Sequence, residues 1–141
     1  MLKNKQKNRL VVDANIWIRA LLKPKFRIRV EVVFGSEYRL FVCEWLFREL
    51  DKAIRKPYLE KRIGLANYES LVEQLRTDAE LVDVKSIIDV CRDPKDNFLL
   101  ALVKDGNADY LITGDGDLLV LEKFGNTKIM TLREFKLNHI S

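Results

Sequence analysis

The stretch Arg92-Asp93-Pro94-Lys95-Asp96-Asn97-Phe98-Leu99-Leu100-Ala101-Leu102-Val103 decides how the rest of the chain is read. Asp93 has the side chain of an N-cap, and Pro94 fits the first helical position, where its missing N–H is no loss. Asp96 then falls in the first turn, where the helix dipole favours a carboxylate. From Phe98 to Val103 the helix is apolar on every side, which predicts burial against a sheet rather than a place on the surface. Asp93 and Asp96 also fit a variant of the capping box, so this pair alone points to local structure as readily as to chemistry. The other acids of the chain have to decide.

Outward from this helix, β-branched runs alternate with helical ones. Arg9-Leu10-Val11-Val12-Asp13 reads as a buried parallel strand whose last residue emerges at the carboxyl edge. A helix follows, with Asp13 or Asn15 as its cap, and Pro24 is expected to break it. Lys23-Pro24-Lys25-Phe26-Arg27 is then a basic loop before a second helix from about Ile28 to Phe34. Arg39 to Cys43 is a second strand, Glu44 to Arg55 a helix ended by Pro57, and Tyr58 to Arg76 a helical hairpin broken at Gly64. Glu80 to Val84 and Ala108 to Thr113 are the third and fourth strands, and Gly114-Asp115-Gly116-Asp117 turns sharply into another helix. Lys128 to Met130 is a fifth strand, and Thr131 with Glu134 forms a capping box on the closing helix. The alternation predicts an α/β protein with a parallel, doubly wound sheet and its ligand site at the carboxyl ends of the strands.

Bulk properties narrow the chemistry. The 141 residues, 48% of them hydrophobic, suit one domain with one core. No run approaches the ~20 apolar residues of a membrane span. Residues 1–8 are basic without the apolar centre of a signal peptide, and are expected to be a flexible start to a cytoplasmic protein. Cys43 and Cys91 lie beside apolar residues and are expected as reduced, buried thiols. The single histidine, His139, makes a zinc site or histidine-based triad improbable, so catalysis must lean on carboxylates. A net charge of +4 despite 21 acids mildly favours a polyanionic partner.

Those carboxylates converge. On the helix from Glu44, the apolar stripe Leu46, Leu50, Ala53 and Ile54 leaves Glu49 beside it and turns Glu44, Arg48, Asp51 and Arg55 away. Asp13 after the first strand, Glu49, Asp96, and Asp115 with Asp117 after the fourth strand therefore share one edge of the sheet. Each has a local explanation as a cap or a turn residue, but none of these explains the gathering. Like charges so placed call for a hard cation, and an all-oxygen set suits Mg2+ or Mn2+. Asn15 and Thr113 are neutral neighbours able to orient the acids or a bound water. Lys23, Lys25, Arg27, Arg29, Arg55 and Lys56 are the candidate cations for a nucleic-acid backbone. Trp17 and Phe26 are aromatic candidates for base stacking, with core packing favoured for Trp17.

Val11-Val12-Asp13-Ala14-Asn15, Glu49-Leu50 near Lys56-Pro57, Asp93-Pro94-Lys95-Asp96-Asn97 and Thr113-Gly114-Asp115-Gly116-Asp117-Leu118-Leu119 together resemble a PIN domain, in particular PIN-family toxins of prokaryotic toxin–antitoxin pairs. The likeness runs from Arg9 to Phe135, and it implies a single PIN-like nuclease domain over residues 9–141. It further implies a three-layer α/β/α sandwich around a mainly parallel sheet of four to five strands, one or two divalent ions, and endoribonuclease activity. Asp13, Glu49, Asp96 and Asp115 would be catalytic and metal-binding, Asp117 a further metal ligand, and Asn15 and Thr113 supporting residues. The implied partners are an RNA substrate, an antitoxin protein and further copies of the chain in a homodimer or higher oligomer, with no membrane. Which of Asp115 and Asp117 is the closer ligand stays open. Two other readings are a non-catalytic binding module and a haloacid-dehalogenase-like phosphotransferase. The latter needs a second acid two residues after Asp13, where this chain has Asn15.

Overall fold

The structure, a computed structural model, describes residues 8–139. Strand β1 (Asn8–Val12) leads into α1 (Ala14–Leu22) and α2 (Pro24–Val30), and a 3-10 turn (Glu31–Phe34) leads to β2 (Tyr38–Val42). Three helices follow, α3 (Glu44–Ile54), α4 (Pro57–Ile63) and α5 (Leu65–Asp78), then the short β3 (Glu80–Leu81). The chain closes through α6 (Pro94–Asp105), β4 (Tyr110–Ile112), α7 (Gly116–Leu119), β5 (Lys123–Phe124), β6 (Thr127–Met130) and α8 (Leu132–His139). Among the described residues no helix is long and apolar enough to cross a membrane.

The sheet order is β3-β2-β1-β4-β6-β5, parallel throughout except for the β5–β6 pair. The chain moves from β1 to one side as far as β3, then crosses back to build the other side from β4. Right-handed crossovers therefore place the two groups of helices on opposite faces of the sheet, and a crevice opens between the carboxyl ends of β1 and β4. The registers Val12↔Ile112 and Ile112↔Met130 bring the strands to a common edge. One residue further on, the Asp13 N–H donates to Ile112 O at 3.0 Å and the Thr113 N–H to Met130 O at 3.0 Å. The carboxyl halves of the central strands β1 and β4 are apolar, with Leu10, Val11, Leu111 and Ile112 sealed between the layers, as strands covered on both faces require.

Several expectations need correction. Asn8 already belongs to β1, and residues 1–7 of the expected flexible start lie outside the described residues. The Lys23–Arg27 segment is no loop: Lys23 alone is extended, closing α1 and opening α2, and Pro24 sits at the first position of α2. Proline's fixed φ suits a helix start as well as it forbids a helix interior, so one residue suffices for the break. The third strand stops at Leu81 because the chain then peels away to Asp105, whose carboxylate accepts from the N–H of Lys85 (2.6 Å) and of Ser86 (2.8 Å). The sheet has six strands rather than four or five. The extra one is the two-residue β5, turned onto β6 through Gly125-Asn126 with Gly125 at φ 59°, a value its missing Cβ permits. Phe98 is 53% exposed, stacked on Trp45 with ring centroids 5.5 Å apart, so α6 is not buried all round. Of the two free cysteines, Cys43 is buried and Cys91 only half-buried. Trp17 and Phe26 both pack in the core.

Candidate active site

At the crevice between β1 and β4 lies a cavity of about 200 Å³ lined by Asp13, Asn15, Glu49, Asp93, Asp96 and Asp115 together with Lys52, Lys56 and Lys95. Each acid arrives by a different local device. Asp13 follows β1 with extended backbone, and its Oδ1 accepts from the Asn15 N–H at 3.4 Å as the N-cap of α1. Its Oδ2 accepts from the Thr113 hydroxyl at 2.7 Å. Thr113, fully buried after β4, also accepts at Oγ1 from the Asp115 N–H at 3.0 Å. One hydroxyl thereby fixes two acids from neighbouring strands. Asp115 caps α7 through the Asp117 N–H at 2.9 Å, and Glu49 reaches the cavity from α3, half-buried beside the apolar stripe.

Asp96 is the acid under most strain. It is 6% exposed, and its Oδ2 is buried without a hydrogen-bond partner. Its pKa is pushed up to about 7, first by desolvation, then by a side-chain hydrogen bond with Asp115 that only a protonated carboxyl supports, then by the like charges of Asp115, Asp93 and Asp13. A helix N-terminus favours a carboxylate by only ~0.3–1 kcal/mol at most surface sites, too little to offset these effects. The pKa of Asp13 is raised too, chiefly by burial, with its hydrogen bond to Thr113 working against the rise.

Asp96, Asp115 and Asp117 each offer a carboxylate oxygen lying within 4.8 Å of the others. Asp117 differs in its surroundings: it is exposed and accepts from Arg92 Nη2 at 3.0 and 3.1 Å, whereas Asp115 faces the cavity with the other acids. A divalent cation fits this donor set. The ligands are hard oxygens only, and a cation would supply the partner that Asp96 Oδ2 lacks.

The expected basic residues do not form a single rim. Lys56 lines the acidic cavity, while Arg29 lines a separate groove. Arg27 bonds Glu31 at 3.4 Å and Arg55 bonds Asp51 at 2.8 Å, each one helical turn away, so their charge is locally spent. Lys23 and Lys25 are exposed at the start of α2. Two cations of the cavity were missed, Lys52 and Lys95. Lys52 stands three residues from Glu49, a spacing that puts both on one helix face and was there to be used.

An α/β sheet with carboxylates gathered at its switch point defines an acid-lined site whose donors could hold a cation. A family model for the PIN domain matches residues 9–117, and the chain belongs to this family, whose members are typically nucleases. The chain is also similar to the uncharacterized protein MJ1680 of Methanocaldococcus jannaschii, with 26% identity over 143 residues covering 93% of this chain and 91% of that protein.

Proposed function

We propose that this protein is a divalent-metal-dependent endoribonuclease that hydrolyses RNA phosphodiester bonds. The observation that carries the reading is the buried Asp96 Oδ2 without a partner, set among Asp13, Glu49 and Asp115 at the sheet's switch point. A buried oxygen without a donor costs stability, and a bound cation would offset that cost. Asp13, Glu49, Asp96 and Asp115 would hold Mg2+ or Mn2+, with Asp117 at the edge. Such an ion lowers the pKa of bound water and offsets charge developing on the phosphoryl group.

The chain's own groups prepare that chemistry. Thr113 locks the Asp13 carboxylate and the Asp115 backbone in one arrangement, so little reorganisation is left for the moment of reaction. Asn15 lines the same cavity and supports Asp13 through its backbone N–H. A cation held there would favour the ionised form of Asp96, so its binding would be linked to loss of the Asp96 proton. Lys52, Lys56 and Lys95 offer positive charge to the phosphates flanking the cut. The toxin role, the antitoxin partner and self-association belong to this proposal on the likeness of the motifs. A small DNA-binding gene beside this one would support them.

The test is incubation of end-labelled single-stranded RNA with the protein under EDTA, then Mg2+ or Mn2+. Cleavage restored by the metal and absent from Asp13→Asn supports the reading. Cleavage undiminished in EDTA argues against it.

A further inference from the structure

A second concavity, about 660 Å³, opens along the same carboxyl edge of the sheet, between α1, α2 and α8. Its cations are Arg19 from α1, Arg29 from α2, and Arg133 and Lys136 from α8. Among the described residues none of these four is in an ion pair, in contrast to Arg27, Arg39, Arg55, Arg76 and Arg92, each of which holds an acid. The Arg19 guanidinium carbon lies 4.3 Å from the Phe26 ring centroid, a cation–π contact that holds the head in place without neutralising its charge. Unpaired cations from three helices in one groove are held at a cost in self-repulsion and have no structural reason to be together.

The position of this groove assigns it a role. Thr113 lines it, and the same Thr113 hydroxyl donates to Asp13 on the other side. The buried Thr113 therefore links the groove directly to the acidic cavity. The four cations come from three different helices, a supply of charge that suits a chain of phosphates better than a single anion. Ile16, Phe26, Leu132 and Leu137 supply apolar surface between them, able to contact bases or sugars.

We infer that the groove between α1, α2 and α8 is the track on which a single-stranded RNA is held by its phosphates while one linkage lies over the acids. The inference rests on the ribonuclease reading for the identity of the strand. It differs from that reading in naming Arg19, Arg29, Arg133 and Lys136 as the residues that grip it. An acidic protein segment is the competing occupant.

The experiment measures binding of a fluorescent single-stranded RNA by anisotropy in EDTA, at several salt concentrations, for wild type, Arg133→Gln/Lys136→Gln and the control Lys104→Gln/Lys128→Gln, two exposed lysines outside both cavities. Circular dichroism and a thermal melt establish that each variant is folded. Removing one cation that neutralises a phosphate flattens the plot of log K against log salt by ~0.7, so the groove pair should flatten it by ~1.4 and the control should leave it unchanged. The weakening should be alike for unrelated sequences, since phosphate contacts carry no base information. An unchanged slope in the groove pair overturns the proposal, as does a wild type that binds a polyglutamate peptide but not RNA. The Arg29→Gln variant gives an independent reading from another helix, with an expected flattening of ~0.7. If wild type binds with the expected slopes but no metal ion yields cleavage, the nuclease reading falls and the groove stands. If RNA is cleaved but the slopes do not change, the groove falls and the nuclease reading stands.

Discussion

The two ends of α6 carry one aspartate each, and they are in opposite states. Asp105, at the C-terminal end, accepts from the N–H groups of Lys85 and Ser86 and from the Ser86 hydroxyl, and its pKa is held below the usual range, first by the Ser86 hydrogen bond. Asp96, at the N-terminal end, has a buried oxygen with no donor and a pKa pushed up to about 7. The helix dipole predicts the reverse order, favouring the carboxylate at the N-terminus and opposing it at the C-terminus. Local donors and burial outweigh it at both ends. The contrast separates a carboxylate that the fold uses from one that the fold tolerates, and only the second kind calls for an outside partner.

The largest effect that would sharpen this contrast is on cleavage. Asp96→Asn keeps the side-chain volume and removes the ligand charge, so metal-dependent RNA cleavage should fall by ~100-fold or more while the protein stays folded, on the scale of losing a principal electrostatic group. Asp105→Ala should leave cleavage within a few-fold of wild type. Gel analysis of a labelled RNA compares the two directly, and equal losses would break the distinction.

Stability should move the other way. Asp105→Ala removes the acceptor that ties residues 85–86 to α6, and should cost about 1–2 kcal/mol in urea unfolding. Asp96→Asn should instead stabilise the metal-free protein at pH 8 by on the order of 1–2 kcal/mol, less than the full pKa shift implies because the cavity is open to water. A destabilised Asp96→Asn would mean that the acid is structural.

The pH dependence has a definite sign. Asp96 has a folded pKa near 7, raised above its ordinary 3.8, so its contribution is fully present below about pH 4 and is lost as pH rises through 7. Asp13, also raised, acts in the same direction. Asp105 is lowered, so its contribution is present above about pH 4 and is lost only as pH falls below that. Metal-free wild type should thus lose stability between pH 4 and 7, and Asp96→Asn should flatten that decline. Urea midpoints across the range provide the check.

The smallest effect concerns Asp117. It belongs to the acid cluster by distance, yet it is exposed and paired with an Arg92 that is itself 86% exposed. Asp117→Asn should change stability by less than ~0.5 kcal/mol, as exposed ion pairs do, and cleavage by only a few-fold. A loss as deep as that of Asp96→Asn would place Asp117 among the principal ligands.

How far the sequence could be read follows from the range of each signal. The position of Asp13 was legible because a β-branched run ending in an acid fixes the residue at the strand's carboxyl edge, that of Asp115 because a glycine-flanked turn follows the fourth strand, and that of Asp96 because a cap and a proline set the helix start. Glu49 followed from the helical stripe. What stayed hidden depends on contacts between distant segments. The pairing of Asp117 with Arg92, and the meeting of Arg19 and Arg29 with Arg133 and Lys136, have no local pattern. The Pro24 misreading has another cause. Proline ends one helix and starts the next with the same φ, and nothing nearby says how many residues lie between. The strand β5 escaped because two residues are too few for a period, although Gly125-Asn126 was a turn signal.

That Asp96, with its buried Oδ2 lacking a partner, holds a divalent cation is tested most directly by titrating Mn2+ into wild type, Asp96→Asn and Asp105→Ala at pH 8, with free Mn2+ followed by electron paramagnetic resonance. Saturable binding in wild type and Asp105→Ala, lost in a folded Asp96→Asn, is the predicted result. Equal Mn2+ binding by Asp96→Asn and wild type would contradict it.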